Sequence, residues 1–279
     1  MPPRSKAINH WATVLGLVIG AAVLADTSAP ELQHWREPTT GMEFIALPAG
    51  TFWMGSPLDE PGREVFEGHH PVRLEHTTWM GRTEVTQSEW RQVMGANPSS
   101  FSGCDECPVE QVTWIEAEAF ARRLGDRSRG SRFRLPTEAE WEYACRAGST
   151  TAFASGATLS AVQANVDGRY PSAGTAASGW KARTVAVASY PPNAWGLFDL
   201  HGNVWEWTAD DACPPPATET TDPLAHCTRR GAPAKKIIRG GSWAFDVDSA
   251  RCGLRYTHRP QDRGYSLGLR LVREVTAPN

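Results

Sequence analysis

Asp199 and Glu206 are the residues of this chain whose types and spacing most directly suggest chemistry. They lie in the stretch Asn193 to Asp210, Asn-Ala-Trp-Gly-Leu-Phe-Asp-Leu-His-Gly-Asn-Val-Trp-Glu-Trp-Thr-Ala-Asp, with Gly202 and Asn203 between them. A Gly-Asn turn can fold the two carboxylates back toward each other. Carboxylates beside exposed backbone carbonyls suit a hard cation such as calcium, which takes six to eight oxygens in a flexible shell. The spacing is not that of an EF-hand, and the plainer reading is a tryptophan-rich core loop whose acids cap turns. Turn formers and tryptophans at this density predict neither a helix nor a strand. His69, His70 and His76 are also close together, but in a charged loop and the strand after it, where solvated histidines are the expectation and a metal site the alternative.

Positioning such groups requires a folded domain, and the composition supplies one. The 279 residues are 41% hydrophobic and 21% charged with a net charge of -3, which allows a packed core and points away from nucleic acid and acidic membranes. With 25 Gly and 21 Pro, many turns and few long regular elements are expected. Arg4 and Lys6 precede the apolar run Trp11 to Ala25, the three-part form of a signal peptide, residues 1–25. That run of about 15 residues is shorter than the roughly 20 that span a bilayer, so cleavage and a periplasmic or secreted product without membrane attachment are expected. The polar stretch 26–40 reads as an N-terminal extension with little fold of its own, and 41–279 as one domain.

Six cysteines in an exported chain argue for three disulfides. Cys104 with Cys107 and Cys213 with Cys227 look local, which leaves Cys145 and Cys252 for a long-range bridge. Cys104-Asp105-Glu106-Cys107 could alternatively be a redox or zinc half-site.

Met42 to Pro48 and Thr51 to Gly55 read as a hairpin through Pro48-Ala49-Gly50, and Val72 to Arg82 as one strand. Thr86 with Glu89, and Thr113 with Glu116, form capping boxes before two amphipathic helices, the second with Ala117, Phe120, Ala121 and Leu124 on one stripe. Arg132 to Leu135 is a strand, and Thr137 caps a third helix ending at Cys145. Gly148 to Pro192 has weak periodicity and reads as irregular. Lys235 to Arg239, Arg251 to Tyr256 and Leu267 to Val272 complete the sheet. Gly240-Gly241 before Ser242-Trp243 indicates close backbone approach or positive φ, with no lysine to make a phosphate loop.

Several of these segments together resemble the formylglycine-generating enzyme, or sulfatase-modifying factor, family: Pro48-Ala49-Gly50-Thr51-Phe52-Trp53-Met54-Gly55, Glu84-Val85-Thr86, Pro108 to Trp114, Arg134 to Ala144, Gly202-Asn203-Val204-Trp205-Glu206-Trp207, Arg239-Gly240-Gly241-Ser242-Trp243 and Leu267-Gly268-Leu269-Arg270. The resemblance implies an α+β domain related to the C-type lectin fold, low in regular structure and often holding two calcium ions. It places one calcium on the Asp199 and Glu206 side chains with the Gly202 and Val204 carbonyls. A weaker second site falls on Asn165, Val166 and Trp180, because Ser178 stands where an aspartate is expected. The family's long disulfide maps onto Cys145 and Cys252.

Formylglycine generation in this family uses copper on two cysteines after the Gly-Gly-Ser-aromatic motif. Here Phe245 stands where the first thiol belongs, the segment is shorter, and Cys252 corresponds to the structural bridge, so copper and sulfatase activation are not expected. The exported branches without the cysteine pair, the pyoverdine-maturation type among them, imply oxidative maturation of a periplasmic peptide or siderophore. The alternative is a non-catalytic, lectin-like binding module of a cell-envelope complex. Candidate cleft residues are Trp205, Ser242, Trp243 and Arg255, with Asp246, Asp248 and Arg251 in the loop that replaces the thiols. The partner expected in that cleft is a peptide or a peptide-derived small molecule.

Overall fold

The computed structural model describes residues 32–128, 130–226 and 234–275. The proposed signal peptide and Cys227, the expected partner of Cys213, lie outside the described residues. No helix among the described residues is long and apolar enough to cross a membrane.

Twelve short strands and three helices follow one another along the described chain. The strands are β1 (His34–Arg36), β2 (Glu43–Leu47), β3 (Gly50–Met54), β4 (His70–Leu74), β5 (Thr78–Gly81), β6 (Ser131–Arg134), β7 (Trp205–Asp211), β8 (Thr220–Thr221), β9 (Lys236–Arg239), β10 (Tyr256–His258), β11 (Leu267–Leu269) and β12 (Val272–Val275). The helices are α1 (Gln87–Met94), α2 (Trp114–Arg127) and α3 (Glu138–Arg146). All three helices open with the same device: Thr86, Thr113 and Thr137 each accept the N–H of a glutamate three residues on, and that glutamate reaches back to the cap.

The strands form three sheets, ordered β1-β2-β5-β12-β6, β10-β9-β7-β11 and β3-β4-β8. The expected hairpin of β2 and β3 is therefore absent. Both edges of β2 are taken, by β1 and β5, and β3 turns away to pair with β4. For the same reason the single strand expected over Val72 to Arg82 is two strands in two sheets, and Leu267 to Val272 divides into β11 and β12. Arg251 to Arg255 is not a strand; β10 begins at Tyr256. β7 covers the end of the stretch Asn193 to Asp210, where neither helix nor strand was expected, because Trp205 and Trp207 fit between β9 and β11.

The polar extension is also more ordered than its composition suggests. Trp35 packs on Phe44 and Phe133, and buried Glu37 accepts the Thr39 and Thr40 N–H groups and the Ser128 hydroxyl. The largest core cluster lies between α1, α2 and the sheets, with Trp90 stacked on Phe120 at 5.0 Å. A second core holds Trp141, Leu197, Leu200 and the bridge of Cys145 to Cys252. Cys104 and Cys107 are also bridged, the local pairing expected from their spacing.

The Cys145–Cys252 bridge closes a loop with a sequence separation of 107 and ties the end of α3 to the turn before β10. Replacing both cysteines by serine is expected to lower stability by about 2–5 kcal/mol in urea unfolding, whereas removing the Cys104–Cys107 bridge should have a much smaller effect because the loop it closes is so short.

Candidate functional site

Between α3 and β7 the chain from residue 148 to 204 contains no regular helix or strand, and its turns are held from outside. Asp199 and Asn203 both adopt left-handed backbone, at φ 59, on either side of Gly202. Gly202 has φ 92, and a Cβ there would collide with the Asn165 carbonyl. Only glycine allows this approach, which brings the expected first calcium loop against the expected second one. Asn203 locks the junction. Its Nδ2 donates to Glu84 at 2.7 Å, and its Oδ1 accepts from Asn165 and from the Val185 N–H.

Three carboxylates meet in this dry region. Glu84 accepts the Val204 N–H at 3.0 Å, Asp199 accepts the Ala188 N–H at 2.7 Å, and Glu206 accepts the Trp141 indole N–H at 2.6 Å. The one guanidinium among them belongs to Arg270, which grips Glu206 through Nε and Nη2. Burial, with the neighbouring carboxylates second, pushes Glu84 well above its ordinary range. Burial likewise pushes Asp199 up to about 6. Carboxyl groups thus outnumber guanidinium in this buried site, an arrangement that a divalent cation would suit. A cation there must share Glu206 with Arg270. At the expected second site, Asn165 Oδ1 is buried without a partner, while Ser178 Oγ is occupied by the Ala161 N–H. Glu84 and Arg270 were visible in sequence only as members of motifs.

The candidate cleft residues separate into buried supports and exposed rings. Ser242 is fully buried and its hydroxyl accepts the Ala244 N–H, so it does not line an open cleft. Gly240 and Gly241, at φ 99 and 71, make the turn that sinks it. Arg255 is a structural partner of Glu138, which it holds through two nitrogens. Asp246 caps the short 3₁₀ turn Val247–Ala250 by accepting from Ser249. Asp248 accepts the Ser172 hydroxyl. Arg251 is 1% exposed and clamps Glu60, Glu67 and the Gly62 carbonyl. Arg251 therefore fastens the replacement loop to the segment between β3 and β4, Asp248 ties it to Ser172, and Asp246 closes its own turn. His70 is buried with its Nδ1 2.9 Å from the Gly68 carbonyl, against the expectation of a solvated ring, while His76 is exposed.

The rings form two adjoining groups. Trp205 meets Phe245 edge-on at 5.5 Å and Tyr256 at 5.9 Å. Trp243 is bracketed by Phe101 at 5.3 Å, Tyr265 at 5.5 Å and Trp180 at 6.2 Å. Phe245, Tyr256, Tyr265 and Trp180 remain between 38% and 52% exposed, so buried Trp205 and Trp243 carry an aromatic surface that is open to solvent. Sequence reasoning named the two buried tryptophans and missed the outer rings, whose spacing in the chain carries no signal.

The segment 244–252 contains no free thiol, since Cys252 is bonded to Cys145 and position 245 is phenylalanine. A family model described as the sulfatase-modifying factor enzyme 1-like domain matches residues 30–275. The chain belongs to this FGE-sulfatase family. It is 36% identical to the formylglycine-generating enzyme of Streptomyces coelicolor over 201 residues, covering 68% of this chain and 60% of that protein. It is 31% identical to the mouse protein named inactive C-alpha-formylglycine-generating enzyme 2, covering 70% and 58%. The matched part is thus less than two thirds of the length of these relatives. Among solved structures, PvdO from Pseudomonas aeruginosa superposes with a TM-score of 0.73 at 28% identity, covering 88% of this chain and 100% of that one. Treponema denticola variable protein 1 gives 0.70 at 26% identity, covering 88% and 99%. These neighbours bear out the α+β fold related to the C-type lectins.

Beneath Phe101 lies Glu110, whose Oε1 accepts the Phe101 N–H at 2.8 Å while Oε2 is buried without a partner. Burial raises this carboxyl from 4.5 to about 7. The folded protein therefore keeps a proton that the unfolded chain releases, and the associated stability is present below pH 4.5 and lost as the pH rises through about 7. Glu110→Gln, which retains the acceptor for Phe101, should flatten that decline when urea unfolding is followed from pH 5 to pH 8.

Proposed function

We propose that this protein is an exported member of the family that holds a peptide or peptide-derived aromatic molecule, such as a siderophore precursor, on its aromatic surface and takes part in the oxidative maturation of that molecule. The observation that carries the reading is Phe245. By the family resemblance it stands where the first copper thiolate is expected, and it packs on Trp205, so that one more ring of a binding surface takes the place of a soft metal ligand. Export is supported by the signal-like residues 1–25 and by two disulfides among the described residues. The similarity to PvdO supports the siderophore class within the broader peptide class.

Calcium is proposed as a structural ion on Asp199 and Glu206 with the Gly202 and Val204 carbonyls, and more weakly on Asn165 with the Val166 and Trp180 carbonyls. Excess buried carboxylate supports the first site, and the unpartnered Asn165 oxygen supports the second. The ion would join turns that no strand connects. Elemental mass spectrometry of the mature protein should find calcium near one equivalent per chain and no stoichiometric copper, and chelation should lower its melting temperature. Stoichiometric copper would overturn the thiolate-free reading.

A second reading, a non-catalytic lectin-like binding module, is favoured by the full engagement of Asp246, Asp248 and Arg251 in the fold. Tyrosine-containing peptides separate the two. Saturable quenching of tryptophan fluorescence, weakened about tenfold or more by Trp205→Ala, is expected under both. Oxygen uptake that follows peptide concentration supports maturation, binding without uptake supports the module, and absence of binding removes both.

A further inference from the structure

A second aromatic cleft, of about 410 Å³, lies where β3 meets the end of α3 and shares no residue with the surface around Trp205 and Trp243. Its walls are Phe52, Trp53, His69, Tyr143 and Trp195. Trp53 is 55% exposed although it sits within a strand, and its indole is braced on one side by His69 with ring centroids 4.7 Å apart. Opposite, Trp195 meets Tyr143 edge-on at 4.8 Å, and Tyr143 packs on Phe52 at 5.2 Å. Five rings gathered around a concavity of this size match the make-up of small-molecule sites, which are mostly apolar with a few polar groups.

Charge narrows the ligand. Arg146, the one arginine lining the cleft, is held by Glu142, which it shares with Arg239, and donates to the Gly55 and Thr151 carbonyls. Burial and the nearby Arg146 hold His69 below its ordinary value, so its ring is neutral near pH 7. The cleft therefore offers an ion no guanidinium nitrogen that is not already engaged. It does offer hydroxyls: Thr51 and Thr150 line it, and burial keeps the Tyr143 hydroxyl protonated as a donor. A wholly apolar ligand would leave these groups without partners. A neutral molecule with one apolar face and hydroxyls around its edge satisfies both the rings and the hydroxyls.

We propose that this cleft binds a neutral saccharide, a pyranose stacking its C–H face on Trp53 while its hydroxyls reach Thr51, Thr150 and Tyr143. The site is independent of the aromatic surface proposed for the peptide-derived molecule and gives the protein a second binding function, attachment to a glycan.

The mature protein titrated separately with chitotriose, cellotetraose and maltotetraose, with binding read by calorimetry and tryptophan fluorescence, tests this. At least one sugar should bind saturably, with Kd on the order of 1 mM, and Trp53→Ala should weaken it about tenfold or more. Thr150→Ala should weaken the same sugar, and Trp53→Ala should leave quenching by tyrosine-containing peptides unchanged, which separates this site from the other one. No saturable binding by any of the three sugars would overturn the proposal, as would sugar binding indifferent to Trp53→Ala. Preferential binding of decaproline in the same cleft would overturn it as well, assigning the rings to an extended peptide.

Discussion

Helix α3 is buried along its whole length and yet carries three glutamates, and the fold is assembled around the arginines that neutralise them. Glu138 takes Arg255, Glu140 takes Arg134 from β6, and Glu142 takes Arg239 from β9 together with Arg146 of its own helix. Each acid thus recruits a different part of the chain. A buried charge left without its partner costs about 3–5 kcal/mol, so no part can withdraw without exposing another to that penalty. The same helix presents Trp141 to Glu206 and Cys145 to Cys252, which joins the ion-pair network to the loop of Asp199 and Glu206 and to the turn before β10.

This arrangement explains how a domain with so little regular structure can hold a site. The 3₁₀ turn after Ser242 is tied to its surroundings by backbone hydrogen bonds from Asp167 to the Phe245 carbonyl and from Val247 to the Tyr170 carbonyl, and by the side chains of Arg251 on Glu60 and Glu67 and of Asp248 on Ser172. With the loop pinned from within, its outward side is free to carry Phe245 against Trp205. Residues that in sequence looked available for new chemistry turn out to be fasteners, and the exposed chemistry is aromatic. The contrast between locked ion pairs inside and open rings outside recurs at the cleft beside α3, where Arg146 is held fast and Trp53 is left to solvent.

Much of the local structure was legible because it depends on neighbours in the chain. Two capping boxes, the Thr137 cap, the apolar stripe of α2, the glycine pair before Ser242 and the phenylalanine at position 245 are all properties of a few consecutive residues, and the helices begin where Thr86, Thr113 and Thr137 predict. Family membership was legible for the same reason, since it rests on short motifs in order. Strand partners were not. β2 and β3 look like a hairpin until β1 and β5 are seen to occupy both edges of β2, and Trp205 to Asp211 looks irregular until β9 and β11 enclose it.

By itself, then, the sequence determined where helices start, which turns need glycine, and that no cysteine stands between Trp243 and Cys252. Those outcomes follow from capping, from backbone sterics and from residue identity, each decided within a few positions. The tertiary structure alone decided that Arg251 and Arg255 are buried partners of glutamates, that Glu84 and Arg270 join Asp199 and Glu206, and that Tyr256, Tyr265 and Trp180 gather around two buried tryptophans. Burial and charge pairing are properties of neighbours in space, and these residues come from positions between 22 and 191 apart in the chain, whose meeting no local pattern records.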